Sequence, residues 1–155
     1  MTATVEADVI PTNPGSPGEL LRLLRDGRPR TRAEFVVETG LARSTVRARL
    51  DALLDAGLIT DGGNGVSTGG RPAGRFVFNA MARVALAAEV GATHATIAVA
   101  DLTGALLATD KLELDIAEGP DVVLPLLIAA WRALLAKSGL AHTPLAGVGI
   151  GLPGP

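Results

Sequence analysis

Residues 31–59 read Thr-Arg-Ala-Glu-Phe-Val-Val-Glu-Thr-Gly-Leu-Ala-Arg-Ser-Thr-Val-Arg-Ala-Arg-Leu-Asp-Ala-Leu-Leu-Asp-Ala-Gly-Leu-Ile, and few arrangements are open to such a segment. Thr31 and Glu34 have the spacing of a capping box, which starts a helix that Gly40 closes. A second helix is expected over roughly 42–56, stopped by Gly57. Two helices joined only by a glycine turn must cross steeply, as in helix-turn-helix modules. At about 100° per residue, Val46, Leu50, Leu53 and Leu54 fall on one side of the second helix. Ser44 and Ala48 point the other way, flanked by Thr45, Arg47 and Arg49. Small residues at the centre of a face with long cations at its margins let a helix approach a DNA major groove closely. For each arginine taken singly, a solvated helix face is the competing reading, and Arg47 has Asp51 available at i+4.

The flanks extend this pattern. Ser16-Pro-Gly-Glu19 combines an N-cap, a proline at the first helical position and a second capping-box spacing. The helix it starts carries Leu20, Leu21, Leu23 and Leu24 and ends at Gly27 and Pro29. After Gly57, residues 58–60 are expected to form a strand, 61–74 a mobile glycine-rich loop and 75–79 the returning strand. Three helices followed by such a hairpin make a winged helix-turn-helix over residues 16–79. Arg71 and Arg75 are the cations of the wing, where glycines let the backbone fit a narrow minor groove. The candidate DNA contacts are therefore Arg43, Ser44, Thr45, Arg47, Arg49, Arg71 and Arg75. Charge is distributed in keeping with this. Residues 16–78 hold ten arginines against seven carboxylates, whereas 79–155 hold four basic and seven acidic residues, within a net charge of −2.

Residues 1–15 lack periodicity, contain two prolines and read as a disordered arm. They have acidic but no basic residues, so they do not resemble a signal peptide. The longest apolar run, 122–131, is broken by Pro125 and is too short to span a bilayer. The expectation is a cytoplasmic protein without membrane partners. There is no cysteine and there are only two histidines, which excludes disulfides and thiolate metal sites within these residues. From residue 83 the pattern changes. Strands are expected over 84–90, 96–100 and 105–114, a turn at Asp101-Leu-Thr-Gly104, a helix starting between Asp121 and Pro125 and running to Lys137, and a last strand over 146–152. This β-β-β-α-β order over 83–155 is that of an unfinished α/β domain, and the chain reads as truncated.

Glu89-Val-Gly-Ala-Thr-His94 is a strand end followed by a glycine turn, a weak phosphate-hairpin pattern taken alone. The order of winged helix, Gly-Gly-Arg-Pro72, Glu89 to His94, Ala-Asp-Leu-Thr-Gly104 and Gly-Val-Gly-Ile-Gly-Leu-Pro-Gly-Pro155 resembles the ROK family (repressor, open reading frame, kinase) from Ser16 to Pro155. The resemblance implies an α+β chain: a winged helix-turn-helix, then the first part of an actin-like (ribonuclease H-like) α/β domain. It implies a DNA-binding regulator, generally a repressor of carbohydrate genes. Such a regulator acts as a homo-oligomer on a palindromic operator and is released by a sugar or sugar phosphate. The alternative within the family is a sugar kinase with an appended N-terminal domain. Where the kinase branch has Asp-x-Gly-Gly-Thr-Lys, this chain keeps Gly91 and Thr93 but has Glu89, Ala92 and His94. The added Cβ and the lost cation disfavour ATP. The family's catalytic aspartate, sugar contacts and cysteine-rich zinc motif lie downstream of the Pro-Gly-Pro turn, so no catalytic residue and no cofactor site are expected in these residues. A third reading uses the winged helix for protein contact.

Overall fold

A computed structural model describes residues 16–64 and 74–153; the expected N-terminal arm, Arg71 and the Gly-Gly-Arg-Pro72 motif lie outside the described residues, as do the last two residues. The chain divides into two units, residues 1–78 and 79–155.

In the first unit, Pro17 occupies the first turn of helix α1 (Pro17–Leu24), and Ser16 before it is extended. The capping box expected there does not form, because the Ser16 side chain makes no cap bond and the Glu19 carboxylate lies 3.5 Å from the Arg49 guanidinium. Gly27, at φ 80°, turns the chain into a two-residue strand, β1 (Arg30–Thr31), that no sequence pattern marks. Thr31 then caps α2 (Arg32–Thr39) with the full reciprocal box. Its hydroxyl accepts from the Glu34 N–H at 3.3 Å, and its own N–H donates to Glu34 Oε2 at 2.7 Å. Gly40 ends α2 in the left-handed conformation expected of a glycine C-cap. Helix α3 (Arg43–Asp55) buries Val46, Leu50 and Leu53. Strand β2 (Ile59–Asn64) runs further into the glycine-rich segment than expected, and β3 (Gly74–Phe78) returns antiparallel to it, with Ile59 opposite Phe78. The sheet order is β1-β3-β2. Phe35 sits fully buried among Leu20, Leu24, Val46, Leu50, Ile59 and Phe76, so every helix and both hairpin strands contribute to one core.

The second unit is a four-stranded sheet, ordered β6-β5-β4-β7, with one helix on it. Strands β4 (Val84–Val90), β5 (His94–Ala100) and β6 (Leu106–Glu113) form an antiparallel meander. Alternate residues Val84, Leu86, Ala88 and Val90 of β4, and Ala95, Ile97 and Val99 of β5, are buried. Helix α4 (Pro120–Lys137) covers that face with Val123, Leu127, Trp131 and Leu134, a stripe at helical spacing. It starts earlier than expected because Gly119, at φ 83°, turns the chain so that Pro120 takes the first helical position. Pro125, which cannot bond back to the preceding turn, is exposed on the solvent side. Strand β7 (Leu145–Gly151) then runs parallel to β4. The Asp101 turn forms as expected, with Asp101 Oδ1 accepting from the Thr103 and Ala105 N–H groups.

Candidate nucleic-acid interface

The candidate surface is built on α3, and Val46, Leu50 and Leu53 fix which way it faces. With these three against Phe35 and α1, the stripe Arg43, Arg47 and Asp51 (i, i+4, i+8) is turned outward. Arg43 and Ser44 are exposed and Thr45 is half-buried. Arg47 is the most open of the helix's paired cations, its side chain 76% exposed and its Nε 3.7 Å from Asp51 Oδ2. No side chain caps the N-terminus of α3, where the flanking Ala42 has no acceptor to offer. Arg75 is exposed on β3, opposite Thr31 in the register.

Arg49 differs from the sequence expectation. Its side chain is only 12% exposed and points at Glu19 of α1. Helical rotation alone puts it at the margin of the outer face; the position of α1 turns that margin into an intramolecular contact. Conversely, Arg32 was not among the expected contacts. It begins α2, its guanidinium lies 5.1 Å from the centre of the Phe76 ring, and it comes within 4.0 Å of Asp51 Oδ1. A cation in the first turn of a helix opposes the helix dipole, which is the one local signal that marked it. Arg32, Ala33, Val36, Val37, Arg43, Arg47 and Asp51 line an open depression of about 810 Å³ between α2 and α3. Three guanidiniums and one carboxylate, with Ala33, Val36 and Val37 as the uncharged lining, suit a polyanion.

A second buried feature holds this surface in place. Arg30 is 5% exposed, yet each of its three nitrogens is engaged. It makes a two-bonded fork to Asp26 at 2.8 Å, bonds to both Glu38 oxygens at 2.9 and 3.1 Å, and bonds to the Leu23 and Arg28 carbonyls. The Arg30 guanidinium, aided by the Arg28 N–H, holds the Asp26 carboxyl well below the usual carboxylate range. The Thr31 N–H and hydroxyl lower that of Glu34 in the same way.

In the second unit, Glu89, Gly91, Ala92, Thr93 and His94 are brought together in the β4–β5 hairpin, and its backbone is already engaged. The Gly91 N–H donates to the His94 carbonyl at 2.8 Å. The Ala92 and Thr93 carbonyls accept from the Ile116 and Leu114 N–H groups. A side chain at position 91 would lie 3.3 Å from the His94 carbonyl oxygen, so the glycine serves hairpin closure.

Comparison with known proteins gives a consistent picture. Residues 19–61 match the bacterial regulatory protein, arsR family. The xylose repressor of Bacillus spizizenii is 28% identical over 135 residues, and that of Bacillus subtilis is 27% identical over 135; the match covers 87% of this chain and 35% of each repressor. An uncharacterized protein, y4fQ, of Sinorhizobium fredii is 31% identical over 137 residues, covering 87% of this chain and 34% of that protein. Among solved structures, a ROK family transcriptional regulator described as a homolog of the E. coli MLC protein superposes with a TM-score of 0.67 at 23% identity, over 89% of this chain and 35% of that one. The chain thus spans about a third of the length of the relatives it matches. With a helix-turn-helix unit followed by this mixed sheet, the chain is similar in sequence to about a third of the length of the xylose repressors and shares the fold of the matched part of the ROK family regulator.

Proposed function

We propose that the chain is the DNA-reading part of a transcriptional repressor of carbohydrate genes, which binds a palindromic operator in the cytoplasm as a homodimer. The observation that carries the reading is the outward stripe of α3 with Arg43 and Arg47, completed across the trough by Arg32. Arg43, Arg47 and Arg32 meet phosphates or guanine edges, Ser44 and Thr45 meet phosphates at the start of α3, and Arg75, with Arg71 of the wing, follows the neighbouring groove. Arg49 braces α3 against α1 instead of touching DNA. In the parent protein a sugar releases the complex; the name of the Bacillus relatives, xylose repressor, makes xylose the first sugar to try. Catalysis is not part of the reading, because the hairpin has Glu89, Ala92 and His94 at the positions that resemble a phosphate-binding Asp, Gly and Lys, and it spends its Gly91 N–H internally.

The test is fluorescence anisotropy with a duplex from the neighbouring promoter. Binding should weaken steeply between low and moderate salt, as each neutralised phosphate releases counterions. Arg47→Ala should lose about 1–3 kcal/mol of binding with unchanged stability. Arg49→Ala should do the reverse, losing up to about 1 kcal/mol of stability. Salt-insensitive binding, or an Arg47→Ala chain that binds normally, overturns the reading. Phosphoryl transfer from ATP to a sugar by the parent protein overturns the non-enzymatic part.

A further inference from the structure

Given the DNA-binding role above, we propose that Asp51 is a specificity-determining residue that stores Arg32 and Arg47 across the trough and penalises duplexes that do not match. Its two carboxylate oxygens face different guanidiniums: Oδ1 lies 4.0 Å from Arg32 and Oδ2 3.7 Å from Arg47. One residue belongs to α2 and the other to α3, so a single carboxylate spans the two helices that frame the trough. All three side chains are about half exposed or more, so water screens these pairs and a phosphate exchanges for them readily.

The exchange has different consequences on different DNA. When the guanidiniums swing to phosphates, Asp51 is left as a bare carboxylate on the groove-facing stripe of α3. A carboxylate there accepts a hydrogen bond only from a base amino group, such as cytosine N4. Facing N7, O6 or O4 it meets another acceptor and is repelled. On a matched duplex the lost pairs are replaced on both sides; on an arbitrary duplex the arginines gain phosphates while the carboxylate gains nothing. Asp51 therefore lowers general affinity for polyanions more than it lowers affinity for the proper site.

The experiment uses the full 155-residue chain and two duplexes of equal length: one selected from a random library by the wild-type chain, the other a scrambled sequence. Asp51→Asn is expected to raise affinity for the scrambled duplex about tenfold and to steepen its salt dependence by about one unit of log–log slope, while affinity for the selected duplex changes about threefold or less. Asp51→Glu, which keeps the charge, is expected to retain most of the discrimination. Combining Arg32→Ala with Asp51→Asn should remove part of the gain, since one of the two released cations is then missing. An equal gain on both duplexes overturns the proposal and leaves a general charge effect; so does no change on either. A wild-type chain that binds neither duplex overturns the DNA-binding reading itself, a result distinct from loss of discrimination.

Discussion

At the scale of single residues, Arg30 shows how a charge can be buried without cost to the fold's uniqueness. The end of α1, the Asp26 turn and the end of α2 supply carboxylates and carbonyls to all three of its nitrogens. Arg30→Ala would take the guanidinium fork from Asp26 and leave Glu38 with Arg28 alone, 3.6 Å away. A loss of about 2–3 kcal/mol is expected in urea unfolding; a loss below the error of the measurement would mean that water serves the two acids equally well. The same network makes a pH prediction. The folded-state pKa of Asp26 is depressed, so its contribution is complete above the unfolded value near pH 4 and is lost as the pH falls through the lower folded value. Asp26→Asn should flatten that part of the acid limb of the stability curve, while leaving the curve between about pH 6 and 8 parallel to wild type.

At the scale of elements, local chemistry and tertiary context divide the fold unevenly. Thr31, Glu34 and Gly40 determine α2 by interactions within four residues of one another, and such short-range devices can be read directly from a sequence. Thr31→Ala removes the cap and should cost about 1 kcal/mol, seen as a lowered midpoint of thermal unfolding; Thr31→Ser should keep most of it. The matching Ser16–Glu19 spacing looked the same and formed no box: the Ser16 side chain makes no cap bond, and folding places Arg49 of α3 at the Glu19 carboxylate. Strand β1 was invisible for a related reason. Two residues carry no period, and Arg30–Thr31 are a strand only because β3 returns alongside them, placing Arg30 opposite Phe76.

At the scale of the whole molecule, the second unit buries one side of its sheet incompletely. The β4–β7 register puts Val148 beside Leu86 and Ile150 beside Ala88, on the face that α4 covers. Yet Val148 and Ile150, together with Leu124 and Ile128 of α4, stay exposed around an open apolar groove of about 410 Å³. An apolar dye such as anilinonaphthalene sulfonate should therefore bind the folded chain, and Ile128→Lys should abolish most of that binding. The sole tryptophan, Trp131, is buried and donates its indole N–H to the Ala87 carbonyl at 3.1 Å. Its blue-shifted emission should survive the Ile128→Lys substitution, which separates loss of the groove from loss of the fold.

The sequence by itself determined the order and type of the long elements, because capping boxes, glycine stops and apolar periods act over a few residues of chain. It also determined the outward face of α3, since Val46, Leu50 and Leu53 leave only one stripe free. Tertiary structure alone decided which arginines stand on the trough. Arg49 went to Glu19, Arg30 into a buried cage, and Arg32 came to the margin of α3 from another helix. A guanidinium reaches its partner through a long side chain across elements distant in sequence, so its role follows from what folding places within about 4 Å of it.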